Sequence, residues 1–438
     1  MGGFRAGVAE VNMTPPVGIS ICGFAGRRGP AESIHDDLCA RALVLESGET
    51  RVGIVTADVI SFAPDLVARV RDQVAKEAGI PGTHLMLNGS HTHSGPTVMA
   101  FRCMGDRDAA YEDVLCRKVA GAVKMASEGL AAAGLSVGRS PVRIGYNRRE
   151  KRDGRIVLGH NPTGPEAPWV DVLRVDRAGG GPMGLLYATA AHPVNLSTLS
   201  ISAEFPGYAA EFISRNMPGT VPMFAQACCG DINCSPRDKT FEGSRYLGTL
   251  LGSAALMGAL QADPLEGTAL ASACRTIALP LMVPTVAAAG QALEAARAGY
   301  AAAEQNVDVT PYQLRQRFGG QVAWAEDYVA SARAQEQEPV QPFEIQAMRI
   351  GEVAVVAYPG EMFVDYQLTL DTRSPFSRTV TLGYSNGCIG YVPTADAYPE
   401  GGYEVDQAFK YYGTLMIAPA CEQFIKTATL DLLTEIHG

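Results

Sequence analysis

Apolar residues along the chain fall into short runs, separated by stretches with the spacing of an amphipathic helix. Residues 51–57 (RVGIVTA) and 84–87 (HLML) read as strands, and residues 64–76 between them repeat their apolar positions at helical intervals. Residues 109–133 predict a second helix, and 143–146 and 171–176 predict strands flanking a loop rich in Gly, Pro and charge. Three further apolar strands are expected at 184–190, 221–227 and 352–357, each running straight into a polar cluster. Between Arg275 and Gln346 the texture changes, and the Ala- and Glu-rich segments 287–304 and 312–335 predict a helical hairpin. The expectation is an α/β chain: one layered mixed-sheet domain over residues 1–438, with flanking helices and a helical excursion at 284–340.

Composition narrows the partners. The 438 residues are 47% hydrophobic and 19% charged, which suits a globular chain with a large core. Lys and Arg total 36 against 46 Asp and Glu, and the resulting charge of −10 is spread without long like-charge blocks, so nucleic acid is not an expected partner. No run approaches the roughly 18 uninterrupted apolar residues of a membrane-spanning helix, and membrane insertion is not expected. The first twenty residues hold a Glu, an Asn and a Pro-Pro pair where an export signal needs an apolar stretch. Ten cysteines without a Cys-x-x-Cys pair then point to a reduced, cytoplasmic setting.

The polar clusters at strand ends carry the candidate chemistry. After the strand at 84–87 comes Gly89-Ser-His-Thr-His-Ser-Gly-Pro96, where continued extended backbone would project His91 and His93 to the same side, because the strand period is two. His192 follows the strand at 184–190, and Glu361 follows Tyr358-Pro-Gly at the end of another. Taken alone, each has a bland reading as a solvated or satisfied imidazole, or as a helix-capping acid. Three of the seven histidines and one glutamate at the carboxyl ends of apolar strands make coincidence the weaker account. Nitrogen and carboxylate donors without thiolate favour a catalytic Zn²⁺ whose open position holds and acidifies water.

A fourth cluster, Cys228-Cys-Gly-Asp231-Ile-Asn233-Cys234-Ser235-Pro236, reads either as an Asx turn or as an acid beside oxyanion donors. The tail is dense in Gly, Pro and Tyr, and its tyrosines are either packing anchors or phenols at the rim of the site.

In this order the clusters resemble the neutral/alkaline non-lysosomal ceramidases, a family of zinc amidases. The match runs from Gly7-Val-Ala-Glu-Val-Asn-Met-Thr-Pro-Pro, through Ile34-His-Asp-Asp-Leu-Cys-Ala-Arg-Ala-Leu and His-Thr-His-Ser-Gly-Pro, to the loop of Tyr403. The resemblance implies that His91, His192, Glu361 and Tyr403 ligate Zn²⁺ and that His93 stands beside the metal as a substrate or proton-transfer partner. It also implies that Asn147-Arg148 is the basic substrate contact and that Asp231 is the acid of a Gly-Asp-x-Ser-Pro motif. Here that motif carries two extra residues, so either Asn233 or Ser235 stands at the serine position. Cys388 replaces the tyrosine that the family places near the scissile carbonyl. The family's C-terminal β-sandwich domain is not expected in a chain that stops at Gly438.

The expected activity is zinc-dependent hydrolysis of a C–N amide bond, linear or cyclic, in a small soluble substrate, with His93 and Asp231 shuttling the proton. The alternatives are a zinc-dependent esterase or lactonase acting on a similar carbonyl, and a non-catalytic, metal-stabilised binding protein, which the Cys388 replacement motivates.

Overall fold

A computed structural model of the chain describes residues 3–235, 239–334 and 339–438. Pro236 of the fourth cluster and the last residue of the expected helix 312–335 lie outside the described residues.

Two stacked sheets lie between layers of helices. Among the described residues the larger sheet has nine strands. Its long members are β1 (Arg5–Asn12), β2 (Cys39–Ser47), β3 (Thr50–Ala57), β4 (Leu85–Gly89), β5 (Ala131–Pro141), β6 (Trp169–Arg177), β7 (Pro182–Thr189) and β8 (Val221–Gln226). They lie side by side as β8-β7-β6-β5-β1-β2-β3-β4. The outermost pair at each edge is parallel, β8 with β7 and β4 with β3, and the other pairs are antiparallel. The smaller sheet runs β9 (Leu270–Pro280), β10 (Val340–Ile350), β11 (Val353–Ala357), β12 (Arg378–Leu382), with β11 and β12 parallel.

The period of two explains why these strands are apolar on both faces. In β2, Leu43 and Leu45 enter the core shared with the smaller sheet, while Ala42 and Val44 face the helices. In β11, Val355 and Ala357 face the larger sheet, and Ala354 and Val356 face the opposite layer. Helices α1 (Pro64–Ala78) and α2 (Ala109–Glu128) cover β1 to β3, and α3 (Glu204–Asn216) and α4 (Phe241–Leu260) cover β5, β6 and β8. α1 shows the local logic. Pro64 starts it, Leu66, Val67, Val70 and Val74 are its buried stripe, and Gly79 at φ 66° ends it in the left-handed region.

The helical segment between β9 and β10 consists of α5 (Val286–Glu304) and α6 (Gly320–Ala334), joined through a π-helical stretch at Leu314–Gly319. It grips the loop before β2: Thr310 Oγ1 donates to Arg28 O at 2.8 Å, and Gln313 Nε2 to Gly26 O at 2.9 Å. After β11, α7 (Val364–Arg373) and finally α8 (Cys421–His437) cover the smaller sheet. No helix among the described residues is long and apolar enough to cross a membrane.

One expectation is corrected. The helix expected over 109–133 stops at Glu128, because Ala131 onward pairs with β1 and β6. Strand β9, which no run of β-branched residues announces, pairs along its whole length with β10 ahead of the helical segment.

Candidate metal centre

Each polar group at the centre stands just beyond a strand that runs parallel to a neighbour. His91 follows β4, His192 follows β7, Glu361 follows β11 and Tyr384 follows β12. His91 and His93 do meet, but strand alternation is not the cause. The strand ends at Gly89, and His91 adopts φ 63°, left-handed backbone that is rare for a residue with a Cβ. The reversal brings His93 Nε2 to 3.2 Å from His91 Nε2, with the two rings nearly perpendicular at 84°. Glu204, Tyr384 and Asn386 share this backbone with His91, so four of the five described non-glycine residues at positive φ belong to this centre and its supports.

The tautomers follow from the partners. His91 Nδ1 lies 2.8 Å from Ile60 O and His192 Nδ1 lies 3.0 Å from Ile232 O. A carbonyl only accepts, so both Nδ1 atoms donate, and in the tautomer that ligates a cation each ring turns an Nε2 lone pair inward. Both Nε2 atoms face a carboxylate: His192 Nε2 is 3.0 Å, and His91 Nε2 3.6 Å, from Glu361 Oε2. All of these side chains are buried. Burial pushes His91 down to about 3 and, with the neighbouring imidazoles, holds His93 well below the ordinary histidine range. Burial opposes ionisation of Glu361 too, but His91, His192 and the Tyr412 hydroxyl more than offset it and keep the carboxylate anionic. Two Nε2 atoms and a carboxylate aimed at one point are the donor set of a divalent cation. The three imidazoles, with ligand atoms within 4.8 Å of one another, could hold a metal ion.

The phenols divide between the carboxylate and the pocket. Tyr412 donates to Glu361 Oε1 and Tyr384 to Oε2 at 3.3 Å. Tyr403 instead lines the adjoining pocket, its ring 5.7 Å from that of Tyr391. The Cys388 thiol is buried near Glu361 and Tyr412, and burial pushes its ionisation up.

The pocket is a cavity of about 490 Å³ between His93, Arg148, Phe24 and Tyr391. Asn233 and Ser235 both line it, and Asn233 Oδ1 accepts from Arg148 Nη1 at 3.0 Å. The Arg148 guanidinium also donates from Nε to Glu404 at 2.8 Å and from Nη2 to the Tyr391 hydroxyl at 2.9 Å. Asp231 lies elsewhere. Its carboxylate accepts from Asn147 Nδ2 at 2.9 Å and from the Val364 N–H at 2.7 Å, and it lines a different cavity from His93. An acid at the first N–H of α7 anchors that helix start.

Glu204 escaped the sequence reasoning. It is fully buried, and its carboxyl accepts from the N–H groups of His93 at 3.0 Å, Asn195 at 3.0 Å and Leu196 at 3.3 Å, and from Ser94 Oγ at 3.2 Å. One side chain thus ties the His91–His93 loop to the loop after His192. Burial pushes its carboxyl up to about 8 despite those donors. Gly23, at φ 97°, lies so close to His93 that an added Cβ would stand 2.5 Å from the ring.

No family model and no curated protein matches the chain. Solved structures do. Neutral ceramidase from Pseudomonas aeruginosa aligns with a TM-score of 0.75 at 20% identity, covering 98% of this chain and 74% of that one. A ceramidase complexed with C2 aligns with a TM-score of 0.76 at 18% identity, covering 99% and 75%. The fold is ceramidase-like. At this identity the likeness is one of fold.

Proposed function

We propose that the protein is a zinc-dependent hydrolase that cleaves the C–N bond of a small amide, linear or cyclic. The observation that carries this reading is the convergence of the His91 and His192 Nε2 atoms on the Glu361 carboxylate, with each Nδ1 committed to a backbone carbonyl. His91, His192 and Glu361 would hold the ion, with a phenol as the fourth group, Tyr403 by the sequence resemblance or Tyr412 by its contact with Glu361. When bound, Zn²⁺ supplies a Lewis acid for the carbonyl and lowers the pKa of water to about 7.

The chain's own groups do the rest. Arg148 and Asn233 line the pocket as substrate contacts, and the aromatic rings of Phe24, Tyr391 and Tyr403 exclude water from it. His93, kept neutral by its surroundings, has a ring lone pair that takes a proton and passes it to the leaving nitrogen. Its position is held by Glu204 through the His93 N–H. Asp231, assigned by sequence to proton transfer, also holds Asn147 and the start of α7. The ten cysteines are all free, which supports a reducing, cytoplasmic setting.

The test is elemental analysis paired with a panel of matched amides and esters. Zinc near one equivalent, amide turnover lost on stripping and regained with Zn²⁺, and loss of the metal in His91→Ala are expected. Full amide turnover after verified stripping overturns the metal assignment, and turnover of esters alone replaces the amidase with an esterase or lactonase. Stoichiometric ligand binding without product over hours makes it a binding protein.

A further inference from the structure

The charge balance around Arg148 bears on which amide enters the pocket. A guanidinium has five N–H groups. Arg148 commits one from each nitrogen, to Glu404, Asn233 and Tyr391, leaving one N–H on each terminal nitrogen. The side chain is only 5% exposed, and the pocket is the space it borders. Two carboxylates face its charge and neither is its alone: Glu361 is turned to the imidazoles of the centre. Glu404, completely buried, is shared: Oε1 takes Arg148 and Oε2 takes Arg149 at 2.8 Å, so one buried carboxylate serves two buried guanidiniums. The second carboxylate on Arg149, Glu400, is half exposed and points its charge at Arg149 alone.

The rest of the wall adds positive charge. Among the described residues that line the cavity there is no Asp or Glu, although the chain as a whole carries 46 acids to 36 bases, and a second cation, Lys239, stands at the exposed side. Apart from these polar groups, the lining is apolar and aromatic, including Phe24, Met104, Leu158 and Val194. A buried cation in an apolar cavity attracts an anion strongly, because the low dielectric amplifies the interaction and the site is already desolvated.

We infer that the amide cleaved in this pocket carries a carboxylate, received by the two uncommitted N–H groups of Arg148, with an apolar remainder against Phe24 and Met104. One N–H from each terminal nitrogen can match the two oxygens of a carboxylate. This rests on the amidase reading for the reaction, though not for the binding, and it replaces an uncharged amide with an anionic one as the substrate class. A cavity of about 490 Å³ suits a molecule of that size.

The experiment pairs acidic amides with their neutral counterparts. N-acyl amino acids place the carboxylate on the amine side, and monoamides of succinic and glutaric acid place it on the acyl side. Each is compared with its uncharged primary carboxamide. Turnover is measured on the zinc-loaded enzyme, and binding by calorimetry on the metal-stripped protein, so that a carboxylate cannot score by ligating the ion. Acids on at least one side should exceed their neutral partners about 100-fold in kcat/KM and bind more tightly without metal, and Arg148→Met should bring that ratio close to one. Neutral members turned over and bound as well as the acids overturn the inference and leave the amidase standing. Preferential binding of acids with no turnover of any amide supports the inference and removes the amidase. The wild-type panel decides the matter even where Arg148→Met fails to fold.

Discussion

Asn88 Oδ1 accepts from the Gln226 N–H at 2.8 Å while Asn88 Nδ2 donates back to Gln226 O at 3.2 Å. These two residues sit on β4 and β8, the opposite edges of the nine-stranded sheet, so one side chain fastens the sheet's two ends to each other. The same Nδ2 reaches Gly383 O at 2.8 Å and Ser385 Oγ at 2.9 Å, which adds the end of β12. His91, the loop after β8 and Tyr384 are all within a few residues of this junction, and their convergence depends on it.

Asn88→Ala leaves the buried Gln226 N–H and the carbonyls without their partner. The expected loss is about 2–4 kcal/mol of stability, read from the urea midpoint, together with weaker zinc retention in a chelator competition. Unchanged metal affinity would separate the junction from the centre.

The strand-end histidines and Glu361 were legible because apolar runs ending in polar residues are a local signal. The junction was not, since a single Asn within Leu-Met-Leu-Asn-Gly says nothing about an edge strand far along the chain. Glu204 was hidden for the same reason: it heads α3 like any first-turn acid, and its work depends on three N–H groups supplied by loops over 100 and about 10 residues away in sequence. The β9 strand was lost to its Ala-rich composition, where pairing with β10 overrides local preference. Asp231 was recognised as a site residue from its motif, but which cavity its carboxylate faces is decided by Asn147 and the start of α7.

Gly23→Ala is a one-carbon test of His93. The new Cβ has φ 97° against it and would meet the His93 ring at 2.5 Å, so the imidazole must move. With His91, His192 and Glu361 untouched, zinc content should remain near one equivalent while kcat falls by about 100-fold, the size of effect a displaced proton-transfer group produces. Loss of zinc in step with activity would place His93 among the ligands.

Burial raises the Asp231 carboxyl from 3.8 to about 7. An acid whose pKa is higher in the folded than in the unfolded chain holds its proton longer when folded, so the unfolded state binds fewer protons between those two values. The contribution of Asp231 is therefore fully present below pH 3.8 and declines as pH rises through about 7. Asp231→Asn cannot ionise. Its urea midpoint should fall less between pH 5 and pH 8 than that of the wild type, and parallel curves for the two proteins would contradict the buried, proton-holding environment.

Two phenols compete for the place beside the metal. Tyr412 donates to Glu361 Oε1, whereas Tyr403 stands in the pocket with Arg148 5.8 Å from its ring centroid. A group bonded to a ligand, or itself a ligand, sets metal affinity, and a group in the pocket wall sets substrate binding. Tyr412→Phe should therefore weaken zinc binding by roughly 10-fold or more, measured by chelator competition, and Tyr403→Phe should raise KM with zinc affinity nearly unchanged. The reverse assignment, with zinc lost from Tyr403→Phe and retained by Tyr412→Phe, would mean that the Tyr403 loop swings onto the ion when it binds. Both variants remove one oxygen and no carbon from largely buried aromatic rings, so a difference between them reads the hydroxyl's position and not the packing of the ring.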